Sequence, residues 1–237
     1  MTPELPLFRW DAPGPYAAAF STRAGGVSEA PFDTLNLGRL TEDDPEHIAE
    51  NRLRLCAEID TDPEQLRYGR QVHGPVVRRA ESRGEPGDGV WSDTPGEALL
   101  VFTADCLPVA LARADGGQPA IAALHVGWRG LLGGIVESAA AALGPTRLAA
   151  VIGPGIGPCC YEVGDEVAQP FRKRFGDGIL SGRHLDLWSA AEHALRAAGI
   201  ATVSRVDLCT ACNPDLFFSH RRDGGRTGRQ GLIAYVT

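Results

Sequence analysis

Ala120-Ile121-Ala122-Ala123-Leu124-His125-Val126-Gly127-Trp128-Arg129-Gly130 passes from one kind of pattern to another, and that passage decides the fold class. Residues 120–125 form a short apolar run of strand length, bounded upstream by the turn sequence Gly116-Gly117-Gln118-Pro119. From Arg129 a helical pattern runs to Leu143, where Gly144-Pro145 stops it. Upstream of the junction the pattern predicts strands over 17–22, 66–72, 76–80, 98–104 and 108–113. Downstream, strands over 148–152, 203–208 and 232–236 mix with helices over 165–175 and 186–198. One more helix, over 45–58, opens with Asp44 as N-cap and Pro45 in its first turn. Strands gathered before residue 126 and mixed with helices after it predict an α+β chain rather than regular βαβ winding. The Gly/Pro-rich stretches at 83–89 and 115–119 read as turns between strands, so one domain is expected over 1–237.

The composition narrows the function classes. With 43% hydrophobic and 22% charged residues and a mean hydropathy of −0.11, the 237-residue chain has the balance of a soluble globular protein. Twenty-three basic against 30 acidic side chains leave a formal charge of −7, which argues against a general binder of nucleic acid or anionic membranes. No apolar run approaches the roughly 20 residues of a membrane span. Met1-Thr2-Pro3-Glu4 lacks the basic-then-apolar layout of a secretory signal, so a cytoplasmic location is expected. Six cysteines are too few for a disulfide scaffold, and most read as small buried hydrophobes in a reducing compartment.

Three segments place a ligand type at a strand end: Gln71-Val72-His73-Gly74, Thr103-Ala104-Asp105-Cys106 and Leu124-His125-Val126-Gly127. His73, Cys106 and His125 together make a three-ligand zinc set with a fourth position open for water or substrate. Their spacings of 33 and 19 residues match no short zinc signature, so two satisfied histidines and a buried thiol compete with that reading. Arg52 falls in the apolar stripe Ile48, Leu55, Ile59 of the first helix. A guanidinium there snorkels, pairs with a structural carboxylate, or points into an anion site. The segment 219–230 is the one basic patch; it is either a solvated loop or a clamp in which Arg222 or Arg229 grips phosphate.

Other motifs fail on spacing. Gly153-Pro154-Gly155-Ile156-Gly157-Pro158 sets its third glycine too early for a dinucleotide fingerprint, and a proline stands where that glycine belongs. Pro158-Cys159-Cys160 is preceded by no His-x-Glu and does not fit the nucleobase-deaminase pattern. Cys209-Thr210-Ala211-Cys212 is a single Cys-x-x-Cys, where a structural zinc site normally needs a second pair, so it reads as structural or incidental.

Taken together, these segments resemble the laccase-domain family, historically called polyphenol oxidases. The matching pieces are Thr34-Leu35-Asn36-Leu37-Gly38, Glu50-Asn51-Arg52, Gln71 to Gly74, Thr103 to Cys106, His125 to Gly130, Gly153 to Val163 and the Cys209-to-Gln230 tail. The resemblance implies a single domain of packed mixed β-sheets flanked by helices, with zinc on His73, Cys106 and His125. It also implies purine nucleoside phosphorylase activity on adenosine, inosine or guanosine. Adenosine deaminase and S-methyl-5′-thioadenosine phosphorylase activities are implied in the same site. On this reading Arg52, with Arg222 or Arg229, holds phosphate, Asn36 orients substrate and Asp105 lies near enough for proton transfer. The expected partners are purine nucleosides and inorganic phosphate, with no nucleic acid, membrane or protein partner.

Two other classes stay in view. One is a cysteine-dependent amide hydrolase with Cys106 as nucleophile and His125 or His73 as base; members of the family tied to editing of peptidoglycan precursors suit it. The other is a non-catalytic metal- or nucleotide-binding module. Copper oxidase chemistry fits poorly, because His47, His73, His125, His184, His193 and His220 form no His-x-His pair.

Overall fold

The computed structural model describes residues 5–82 and 84–237. Met1 to Glu4, the stretch read for a secretory signal, and Arg83, the first residue of the 83–89 turn, lie outside the described residues. In chain order the strands are β1 Leu7–Arg9, β2 Tyr16–Ser21, β3 Leu66–Arg67, β4 Val77–Arg79, β5 Gly89–Ser92, β6 Ala98–Thr103 and β7 Leu107–Arg113. They continue as β8 Ile121–Val126, β9 Leu148–Ile152, β10 Leu180–Ser181, β11 His184–Leu185, β12 Thr202–Arg205 and β13 Gln230–Val236. The helices are α1 Pro45–Glu58, α2 Trp128–Gly133, α3 Ile135–Leu143, α4 Asp165–Phe175 and α5 Leu187–Ala197.

The apolar runs are continuous rather than alternating because most strands are covered on both faces. One sheet has the order β1-β2-β13-β6-β3, the other β12-β9-β7-β8-β5-β4, and β10 pairs with β11 apart from both. Leu99, Val101, Leu232, Ala234 and Val236 of the first sheet meet Ala110, Ala112, Ile121, Ala123 and Val151 of the second in one core. Small alanines on the facing strands let the two sheets lie close. The opposite face of the first sheet, with Leu100 and Ile233, packs on Leu55 and Cys56 of α1. The opposite face of the second, with Ala122, Leu124 and Val126 of β8, packs on α2 to α5 through Leu131, Ile135, Phe171, Trp188 and Leu195. The layers therefore run helix, sheet, sheet, helices, which is the expected α+β domain of packed mixed sheets. Among the described residues no helix is long and apolar enough to cross a membrane.

Several sequence expectations change in detail. The helix expected over 129–143 is two: Gly134, at φ 92°, ends α2 and begins α3. The strand expected over 66–72 stops at Arg67, and the Gln71 side chain then bonds both the N–H and the carbonyl of Phe102 at 2.8 Å. That amide substitutes for a ladder residue and lets the backbone turn away toward His73. The short strands β1, β5, β10 and β11 were not expected from the pattern.

Candidate active site

Adjacent antiparallel strands bring Cys106 and His125 together. In the β7–β8 register Leu107 lies opposite Val126 and Pro108 opposite His125, so Cys106 enters β7 where His125 leaves β8. The sequence gap between them is one hairpin, which is why its length carries no signature. Asp105, at φ 92°, makes the tight corner between β6 and β7 that presents the Cys106 thiol. His73 arrives from the loop after β3 and is itself held at φ 60°. Of the three described non-glycine residues with positive φ, two thus flank this site, a strained backbone maintained by its surroundings.

The ligand atoms of His73, Cys106 and His125 all lie within 4.8 Å of one another. The two imidazoles meet edge to face at 4.8 Å between centroids. His125 and Asp88 are buried, whereas His73 is exposed, so the cluster opens on one side. Asp88 organises it. Its Oδ1 lies 2.8 Å from His125 Nδ1 and accepts the His73 N–H at 2.8 Å, while its Oδ2 accepts the N–H groups of Val72 and Gly74 at 3.0 and 2.8 Å. A carboxylate only accepts, so Nδ1 of His125 carries the proton and Nε2 is left to face a metal. A side chain at position 127 would crowd the cluster: a Cβ on Gly127 would sit 3.0 Å from Cys106 Sγ and 3.3 Å from His73 Cδ2.

Burial opposes charge on both Cys106 and His125, but each overrules it for the other. Burial raises the thiol, yet His125 and His73 bring Cys106 down to about 6. Burial lowers the imidazole, yet Cys106 and Asp88 push His125 up to about 9. Two imidazoles and a readily ionised thiol at these separations suit a borderline-soft divalent ion.

The candidate anion residues divide into two groups. Asn36 is buried and fully engaged: its Oδ1 accepts the N–H groups of Gly38 and Arg229, and its Nδ2 donates to Thr41 and Asp43. Arg222 donates to both Asp223 oxygens and to the carbonyls of Thr210 and Phe217, so its fork is turned into the protein. Asp105 accepts Thr210 Oγ1 at 2.6 Å and the Arg221 N–H at 2.7 Å.

Arg52 and Arg229 differ, because neither has a carboxylate partner among the described residues. Arg52 donates to the Leu37 carbonyl at 2.7 Å and to the Tyr68 hydroxyl at 3.2 Å, and stacks on Tyr68 and Phe102 at 5.0 Å from each ring. Burial lowers its pKa, with Arg39 adding to the effect. Arg229 donates from Nη1 to the carbonyls of Thr227 and Gly228; burial lowers its pKa, while the negative charges of Asp105 and Cys106 work the other way. Arg229 thus carries its charge in a buried setting in which Asp105 and Cys106 are the negative groups acting on it. Asp88, Arg39, Tyr68 and Phe102 were not among the residues singled out from the sequence; Asp88 reads there only as part of a Pro-Gly-Asp-Gly turn.

Residues 17–237 match the family described as multi-copper polyphenol oxidoreductase laccase. The chain belongs to that family. This laccase-family chain is 40% identical to a purine nucleoside phosphorylase of Pseudomonas aeruginosa, over 96% of each chain. It is 41% identical to a purine nucleoside phosphorylase of Deinococcus radiodurans, over 98% of this chain and 93% of the relative. Its fold superposes on the crystal structure of the Bacillus licheniformis hypothetical protein YfiH with a TM-score of 0.88 at 30% identity, covering 96% of this chain and 98% of that one. Within the laccase family description, the donor inventory is informative: among the described residues, the histidine-containing metal cluster is the single set His73, Cys106, His125. Among those residues, no second histidine-containing cluster accompanies it.

Proposed function

We propose that the protein is a zinc-dependent purine nucleoside phosphorylase. The observation that carries this reading is the His73–Cys106–His125 donor set, whose Cys106 acts electrostatically on the buried Arg229, an arginine with no carboxylate ion-pair partner among the described residues. The names of the relatives support it. Zinc held by these three residues supplies a Lewis acid beside the substrate. Arg229 and Arg52 hold inorganic phosphate against the sugar, so that one phosphate oxygen bonds C1′ as the C1′–N9 bond breaks. The products are the free purine and ribose 1-phosphate. Asp105, fixed by Thr210 and the Arg221 amide, sits near enough to handle a proton, and Asn36 shapes the pocket indirectly by holding the Arg229 backbone. Arg222 braces the tail loop on this reading rather than touching phosphate.

The proposal extends to two finer activities in the same site. S-methyl-5′-thioadenosine differs from adenosine away from C1′ and undergoes the same displacement. In adenosine deamination, water adds at C6, ammonia leaves and inosine forms. Adenosine incubated with the zinc-loaded protein, with and without phosphate and under anaerobic conditions, tests all of this. Adenine with ribose 1-phosphate, formed only when phosphate is present, is the expected result, with inosine forming in either case. Turnover that requires oxygen, or no phosphate-dependent release of base, overturns the phosphorylase.

A second reading is favoured by one observation: Asp88, His125 and Cys106 form an acid–imidazole–thiolate chain of the kind a cysteine hydrolase uses. A thiolate committed to metal is not free to attack an amide. Rapid alkylation of Cys106 in the metal-loaded protein supports the hydrolase, whereas alkylation only after chelation supports the zinc enzyme.

A further inference from the structure

The Cys209-Thr210-Ala211-Cys212 motif lacks a partner pair in sequence, but the fold supplies one. Gly155 pairs with Cys209 in an isolated parallel bridge, and the Thr210 N–H bonds the Gly155 carbonyl at 3.0 Å. This brings the 157–161 turn onto the 209–213 turn. The sulfurs of Cys159, Cys160, Cys209 and Cys212 all lie within 4.8 Å of one another. Cys212 Sγ is 3.4 Å from Cys159 Sγ and 3.4 Å from Cys160 Sγ. Those separations are far beyond the roughly 2.05 Å of a disulfide. They lie close to the sulfur–sulfur edge of about 3.8 Å expected when four thiolates surround zinc at about 2.3 Å.

The surroundings match a metal-bound thiolate as well. Cys209 Sγ accepts the Gly157 N–H at 3.2 Å. A backbone donor aimed at the sulfur stabilises its anionic form and fixes its direction. Cys209 is buried while Cys159 and Cys212 are exposed, so a metal there would be anchored from below and closed by sulfur from above.

We propose that Cys159, Cys160, Cys209 and Cys212 form a second, structural zinc site with four thiolate ligands. The site clamps two loops that reach the catalytic region. Thr210, between the two ligands of the Cys-x-x-Cys, donates to Asp105 at 2.6 Å, and Arg221 donates to the carbonyls of Cys160 and Glu162 while its own N–H holds the other Asp105 oxygen. With all four positions taken by protein, this zinc binds no substrate; it holds Asp105 and the tail in register.

Metal analysis of the purified full chain tests the site independently of any turnover. The wild type should carry about two zinc ions, one closed and one three-ligand, and Cys106→Ala and Cys212→Ser should each lose about one. X-ray absorption on Cys106→Ala should show a sulfur-only shell at about 2.3 Å. In the native wild type, a thiol reagent should leave Cys159 and Cys212 unmodified until a chelator is added. Immediate modification of these exposed thiols overturns the site, as does protection released only by a reductant, which would mark disulfides. Iron in place of zinc in Cys106→Ala overturns the assignment of the metal. The wild-type thiol measurement decides the matter even if Cys212→Ser fails to fold.

Discussion

His125 Nδ1 lies 2.8 Å from Asp88 Oδ1, and the same carboxylate receives three consecutive backbone N–H groups from Val72 to Gly74. One buried side chain therefore sets the tautomer of one candidate ligand and the backbone of another. Asp88→Asn keeps the shape but turns an amide NH2 toward N–H groups that need an acceptor. The expected loss of metal affinity is about 10–100-fold, read by competition with a chelator. An unchanged affinity would show that His125 and the His73 loop hold their places without the carboxylate.

The paired shifts at the site make metal uptake depend on pH. In the metal-free protein His125 keeps its proton up to about 9, and a metal must displace it. Cys106 has already lost its proton above about 6. From this pair, affinity should rise about tenfold per pH unit between those two values and more steeply below the lower one. Above the upper value their contribution levels off. Calorimetric titration in buffers of different ionisation enthalpy, across that range, measures the protons released.

Gly127→Ala places a methyl 3.0 Å from Cys106 Sγ and 3.3 Å from His73 Cδ2. Backbone dihedrals do not forbid the substitution, since Gly127 adopts φ −87°. The expected result is a protein that folds, shown by an unchanged circular dichroism spectrum, yet holds less metal at the histidine site. Full metal content would mean that the cluster can shift to admit the methyl.

Arg222 and Arg229 should separate cleanly. Arg229→Met is expected to raise KM for phosphate at least tenfold, the scale of a lost charge-assisted contact of about 1.5–3 kcal/mol, with little change in Tm. Arg222→Met removes the bonds to Asp223, Thr210 and Phe217. Its cost of about 2 kcal/mol should lower Tm by about 4–8 °C. Reversed outcomes would exchange the roles of the two arginines.

The clustering of His73, Cys106 and His125 was legible because an apolar run ending in His or Cys marks a strand tip, and tips of neighbouring strands meet. Arg52 was legible from its place in an apolar helical stripe, and it is indeed stacked and half-buried between Tyr68 and Phe102. What stayed hidden was partner choice across the chain. Nothing in Gly87-Asp88-Gly89 distinguishes a turn aspartate from one that serves two histidine segments. Arg222 and Arg229 share one charged loop, and only the folded positions of Asp223 and Asp105 tell them apart. The break at Gly134 was not read from the sequence: the Gly133-Gly134 pair stands inside a run that otherwise keeps helical spacing, and Gly134 takes a left-handed conformation there.

β13 has antiparallel partners on both sides, β2 and β6, and no direct pairing joins those two. A ribosome delivers β2 and β6 long before the strand that must go between them. Every ligand of the histidine site lies in the first 125 residues, whereas Arg229 emerges immediately ahead of β13. The order of synthesis thus places His73, Cys106 and His125 on the growing chain before the segment that carries Arg229, and the two join one fold only when β13 closes the sheet.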